Sequence, residues 1–189
     1  MKRCRLWVAA AGIPPACWRA WRAKNETGCQ ANGPTVIKYI HIAAASGVPQ
    51  ESVEVAQLVA GAGIVGDRNY GLADYPGQQI TFIEMEEIDS FNRRFGQQQP
   101  PWAARRNVVT EGVRLNQLVG RDFAVGAVTF RGIELCEPCA YLGELLETPE
   151  LARQEVVRAF LHRGGLRADI LTDGDIHVGM PLRSLPPAS

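Results

Sequence analysis

Short apolar runs recur from Asn107 onward with turn residues between them, and no other feature constrains the fold of this chain more tightly. Val108-Val109, Leu115 to Val119, Phe123 to Val125 and Val128 to Leu135 follow one another at a spacing that suits a barrel or sandwich of strands. Upstream, Val36 to Ile42 alternates as a half-buried strand does, and Val53, Val55, Leu58 and Val59 mark a second strand running into the glycine-rich segment Gly61 to Arg68. Pro76-Gly77 is a turn signal before a third strand, Gln79 to Ile83. Met85, Ile88, Asp89, Asn92 and Phe95 then fall at helical spacing, and Gly96 stops that helix. Gln97 to Pro101 is a short polar linker. Leu151, Val156, Val157, Phe160 and Leu161 predict a late helix, and Ala168 to Leu171 and Ile176 to Val178 flank Asp173-Gly174, a two-residue hairpin signal. The chain therefore reads as mainly β with two or three short helices, and a parallel βαβ architecture is not expected.

The 189 residues suit one domain with some excess. The excess lies at the start: residues 1–35 read as an extension without a fold of its own, and residues 36–185 as the domain. Formal net charge is zero, yet Lys2, Arg3, Arg5, Arg19, Arg22 and Lys24 face only Glu26 in the first 35 residues, which leaves the remainder net acidic by about five charges. An acidic body is unsuited to sequence-independent binding of a phosphate backbone, so no nucleic-acid partner is expected. The apolar run Leu6 to Cys17 is broken by Gly12 and Pro14-Pro15, and it is too short to span a bilayer. A basic start before Leu6 to Ala11 also fits a secretory signal, but Arg19, Trp21, Arg22 and Lys24 are unlike a small-residue cleavage site. A cytoplasmic location is the expectation.

The five cysteines, Cys4, Cys17, Cys29, Cys136 and Cys139, are odd in number and lack a disulfide framework spacing. Cys136-Glu137-Pro138-Cys139 follows a predicted strand and precedes a short helix, Tyr141 to Leu146. A cysteine at a helix start lies at the positive end of the dipole, which favours the nucleophilic or metal-binding thiolate, while Glu137 opposes it. Pro138 suits a first helical turn, so Cys139 is the better placed of the two. Three readings of the pair stay open on these grounds: a thiol–disulfide redox site, half of a zinc site, and two buried structural cysteines. His41, His162 and His177 have no paired metal-ligand spacing.

Five ordered segments resemble the MOSC (molybdenum-cofactor sulfurase C-terminal) domain family, in its small free-standing bacterial form. They are Leu58 to Tyr70, similar to a G-x-x-G-D-R segment; Arg106 to Gly120, continued by Phe123 to Gly126; Leu135 to Cys139; Arg163-Gly164-Gly165-Leu166-Arg167-Ala168; and Gly174 to Gly179. Met180 stands where the family's last segment carries a carboxylate. The resemblance implies a closed β-barrel of the pyruvate-kinase-barrel type that binds the molybdenum cofactor or carries sulfur for a metal–sulfur centre. It implies Cys139 as molybdenum ligand or persulfide carrier, with Cys136 assisting by exchange. Arg68, Arg106, Arg163 and Arg167 are the candidates for the cofactor's phosphate, with Asp67 and Asn107 beside them. A cysteine desulfurase would be the sulfur donor. A reductase of N-hydroxylated compounds would need an external electron-donor protein, because no flavin or iron–sulfur motif is present. Pyridoxal phosphate belongs to the family name through a separate sulfurase domain; Lys38 is the single lysine after residue 35, so a Schiff base is not expected. The competing readings are a cofactor-free redox protein and a non-catalytic binding barrel.

Overall fold

The computed structural model describes residues 35–72 and 74–186, so the basic N-terminal segment with Cys4, Cys17 and Cys29 lies outside the described residues. The strands are β1 (Val36–Ile42), β2 (Glu51–Val53), β3 (Val55–Val59), β4 (Gly63–Ile64), β5 (Ile80–Glu84), β6 (Val108–Glu111), β7 (Asp122–Val125), β8 (Val128–Leu135), β9 (Leu166–Ile170), β10 (Gly174–His177) and β11 (Leu182–Ser184). Three α-helices accompany them among the described residues: α1 (Met85–Phe95), α2 (Ala140–Leu146) and α3 (Arg153–Phe160).

Eight strands form one curled sheet in the order β11-β7-β8-β9-β5-β6-β1-β2, and β10-β3-β4 form a second, smaller one. The concave side of the large sheet is filled by Phe82, Phe123 and Phe130, whose ring centroids lie 5.1 to 5.5 Å apart. Ala56, Leu58, Ile64 and Ile176 of the small sheet pack on the same core, covering its open side. Residues of opposite parity on the central strands, Ile83 and Val109, face the other way into a second cluster with Phe91, Leu142, Leu146 and Phe160 from the helices. Burial on both faces is why β5 and β6 read as near-continuous apolar runs.

The barrel is not closed, contrary to what the resemblance implied. β1 and β11 meet at a single bridge, Val36 with Pro181, supported by main-chain hydrogen bonds such as Ile37 N–H to Met180 O (2.9 Å). Proline has no N–H to donate, so a regular ladder cannot run through this seam. Met180, in the position of the family's carboxylate, packs its side chain against the core.

Other expectations are revised too. Asp173-Gly174 is no hairpin: β9 pairs with β5 and β8, while β10 crosses to β3 in the small sheet. Asp173 Oδ1 accepts the Ala60 N–H (2.7 Å) instead, which pins the turn to the end of β3 and directs the chain out of the large sheet. Leu115–Leu118 forms a 3-10 turn, not a strand. The second strand is split between β2 and β3. One parallel pair, β5 with β6, spans α1 and is a single β-α-β crossover within an otherwise antiparallel sheet. The first helix and its Gly96 stop are as expected, with Gly96 in the left-handed region at φ 62°.

The tightest approach is at Gly164-Gly165, entering β9. A Cβ at Gly165, where φ is +105°, would overlap the Phe82 carbonyl oxygen, and one at Gly164 would overlap that of Cys136. Gly165→Ala is expected to destabilise the fold by about 3 kcal/mol or more in denaturant titration, whereas Gly96→Ala, with open space around it, is expected to lose only about 1 kcal/mol. Equal losses in the two variants would contradict this packing.

His41 is fully buried in β1, with Nδ1 3.1 Å from Ser52 Oγ and no partner for Nε2 among the described residues. Burial pushes its imidazole down from 6.5 to about 4. The unfolded chain thus takes up a proton at His41 below pH 6.5 that the folded chain accepts only near pH 4. This contribution to stability is complete above that window and is lost as pH falls through it. Between about pH 8 and pH 5 the wild type is expected to lose about 2 kcal/mol more than His41→Phe in urea titrations; parallel losses would exclude His41 as the cause.

Candidate functional site

The loop after β8 carries the cysteine segment, and main-chain contacts fix its first half. Cys136 N–H donates to Gly165 O (2.7 Å), and the Cys136 carbonyl accepts from Arg106 Nη2 (3.2 Å). Cys136 is consequently buried, at 3 % exposure. Glu137 is held by His162: Oε1 lies 2.7 Å from His162 Nδ1, and Oε2 accepts the His162 N–H (3.0 Å). The carboxylate expected to oppose a thiolate is thereby tied to the loop after α3. Cys139 is exposed and is the N-cap of α2, which begins at Ala140, so Pro138 precedes the helix and does not form its first turn. Both cysteines are free thiols.

Cys139 lines a cavity of about 200 Å³ with Arg68, Arg105, Arg106, Ser46, Gly47, Ala104, Tyr141 and Leu142. Among the described residues no carboxylate lines it. Arg106 is held by Nε donating to Gly164 O (2.8 Å) as well as by its bond to Cys136. Burial lowers the affinity of this guanidinium for its proton, Cys136 raises it, Arg167 lowers it, Cys139 raises it and Arg68 lowers it. These five side chains therefore share one electrostatic neighbourhood. Nη1 of Arg68 is buried without a hydrogen-bond partner among the described residues.

Two further elements aim these arginines. Asp67 Oδ2 accepts from the Ala43 N–H (3.1 Å) and from Asn107 Nδ2 (3.2 Å), and Oδ1 accepts the Asn69 N–H (3.0 Å). The Arg68 N–H returns a bond to Ala43 O (2.7 Å), so Arg68 is fixed against the end of β1. Asn107 also accepts from Thr81 N–H (3.1 Å) and Oγ1 (2.8 Å) and donates to His41 O (3.3 Å), fixing the position directly after Arg106. Asp67 and Asn107 are both buried, and these protein contacts make them supports of the site.

The remaining candidates lie apart from the cavity. Arg167 on β9 pairs with Glu134 (3.5 Å), near Arg106 but outside the cavity lining. Arg163 is exposed on a larger cleft of about 420 Å³, where it pairs with Glu87 (3.4 Å). That cleft also contains Arg114 bound to Glu84 (2.9 Å), so its charges neutralise one another across its walls. The smaller cavity, where three arginines and a thiol meet without a carboxylate among the described residues, is the chemically unbalanced one. Lys38 is paired with Glu111 (3.1 Å).

Arg105 was missed by the sequence reading. Adjacent residues in an extended chain point to opposite faces, which argues against Arg105 and Arg106 sharing a cavity. Arg105 has φ 59° in the left-handed region, which breaks that alternation, and its Nη1 donates to Val48 O (2.7 Å). The Arg105-Arg106 doublet after Pro100-Pro101 was the available signal. Among the described residues no group of three or more His, Cys, Asp or Glu side chains is placed to hold a metal. No described helix is long and apolar enough to cross a membrane.

Comparison with known proteins agrees with this geometry. No curated protein matches the chain in sequence. Among solved structures, the YuaD protein of Bacillus subtilis is similar with a TM-score of 0.70 at 19% identity, covering 80% of this chain and 97% of that one. YiiM of Geobacillus stearothermophilus is similar with a TM-score of 0.63 at 16% identity, covering 81% of this chain and 76% of the other. YiiM of Escherichia coli follows at 0.56 and 17%, covering 82% and 70%. At such identities these likenesses establish the fold alone. The MOSC domain family itself matches residues 67–183, a span that includes Asp67, Arg68, the cysteine segment and β9. With more than half of its length matched, the chain belongs to the MOSC domain family.

Proposed function

We propose that the chain binds the molybdenum cofactor at the Cys139 cavity, with Cys139 supplying a sulfur ligand and Arg68 and Arg106 taking anionic groups of the cofactor. MOSC domains are associated with this cofactor as a family. The carrying observation is the exposed Cys139 thiol on a cavity it shares with Arg68, Arg105 and Arg106 and, among the described residues, with no carboxylate. An anionic ligand there would gain charge-assisted hydrogen bonds from guanidinium groups.

The donor set fits the group. A bare metal ion needs three or four protein ligands, which the described residues do not assemble. Molybdenum carried by its own dithiolene needs only one thiolate from the protein. When bound, the cofactor supplies a redox-active metal centre. The residues of the chain do the rest: Asp67 and Asn107 hold the arginines at fixed positions, and Cys139 presents its thiol at the cavity wall. Glu137 is engaged by His162. Reduction of N-hydroxylated compounds would require an electron-donor protein.

A second reading is a persulfide carrier on Cys139, loaded by a cysteine desulfurase. It is favoured by the second free thiol, Cys136, three residues away and close enough to Arg106 to share its field.

Purified wild type from a molybdate-supplied host is expected to carry molybdenum by elemental analysis and pterin by fluorescence. Cys139→Ala is expected to lose most of the metal, and Arg68→Gln to lower pterin retention by roughly tenfold. Equal and negligible cofactor in wild type and Cys139→Ala would overturn the proposal.

A further inference from the structure

We infer that the Cys139 cavity is a sulfurtransferase site whose donor is a small sulfur-bearing oxyanion of the thiosulfate class. The inference deepens the persulfide-carrier reading and rests on it, because it needs Cys139 to act as a nucleophile at this cavity.

Size is the first argument. A cavity of about 200 Å³ admits a small anion whole, whereas only part of the larger molybdenum cofactor could enter it. Charge is the second. Three arginines line the space and, among the described residues, no carboxylate does, so the field within it favours a dianion. The third is unspent hydrogen bonding. Arg106 directs two of its five N–H groups to Gly164 and Cys136, and Arg105 directs one to Val48, which leaves the other donors of this pair for a ligand. Oxygens of a sulfonate-type group match such donors in planar pairs. The last argument is the nucleophile itself: Cys139 is the exposed thiol on the same wall.

Together these place an anion-recognition group and a sulfur nucleophile in one small space. The Cys139 thiolate attacks the outer sulfur of thiosulfate, and a new S–S bond forms. The S–S bond of thiosulfate breaks with its electron pair leaving on sulfite. The products are a Cys139 persulfide and sulfite, with atoms and electrons balanced and no external oxidant. A small nucleophile such as cyanide or an acceptor thiol then takes the outer sulfur and restores the Cys139 thiolate. The arginines bind the leaving sulfonate end throughout, which is where negative charge accumulates.

The test uses the full reduced chain with thiosulfate as the probe, and reads sulfite release, a mass gain of one sulfur on the Cys139 peptide, and thiocyanate formed after cyanide is added. A parallel arm offers cysteine with a cysteine desulfurase. Wild type is expected to be loaded by thiosulfate, Cys139→Ser to lose loading in both arms, and Arg68→Gln to need roughly tenfold more thiosulfate while desulfurase loading falls by a smaller factor. Loading by the desulfurase but not by thiosulfate would overturn the oxyanion donor and leave the carrier reading standing. No loading from either source would remove both. Equal thiosulfate dependence in wild type and Arg68→Gln would also overturn the inference, since recognition would then not pass through the arginines.

Discussion

The buried hydrogen bond between Asp67 and Asn107 is the contact on which the site depends. It joins the loop after the small sheet to the start of β6, and each partner is satisfied on its other side by β1 or β5. Buried polar groups of this kind are tolerable only when every donor and acceptor is used, and then they define a unique geometry. Here that geometry is spent on Arg68 and Arg106, which follow and precede the two partners in sequence. Guanidiniums that repel one another are thus held together by a frame that contains none of them.

The curled sheet supplies the other half of the arrangement. Gly164-Gly165 lets β9 begin against the backbones of β5 and of the cysteine loop, so Cys136 is drawn in by Gly165 while Cys139 is left at the cavity wall. The difference between the two thiols follows from this: one is buried near Arg106, the other is exposed. A closed ladder is not required for it, since the open seam at Pro181 lies between β1 and β11.

Much of this was legible in the residues. Alternation in β1, the apolar runs of β7 and β8, and the spacing of Met85, Ile88 and Phe95 are local signals, and local signals report elements well. What failed was partner choice. Asp173-Gly174 looks like a hairpin because both flanks are strands, yet the Asp173 side chain captures Ala60, far away in sequence, and sends β10 to another sheet. Leu115–Leu118 is apolar because it plugs the core as a 3-10 turn, and composition cannot distinguish that from a strand. For the site, Cys139, Arg68 and Arg106 were identifiable from the motif segments. The absence of Arg163 and Arg167 from the cavity lining was not, because their ion pairs with Glu87 and Glu134 depend on tertiary placement. Arg105 was hidden by its left-handed backbone, which overrides the alternation a sequence reader assumes.

The central claim is that Cys139 sits in a field built by arginines to receive an anion, and thiol alkylation tests it without any assumption about the physiological ligand. Rates of Cys139 modification by anionic iodoacetate and neutral iodoacetamide are compared by peptide mapping, with a free thiol as reference. The ratio of anionic to neutral rate at Cys139 is expected to exceed that of the free thiol by roughly tenfold at low salt, and to fall toward it in Arg68→Gln and at high salt. A ratio equal to the free thiol, unchanged by the substitution and by salt, would contradict the account.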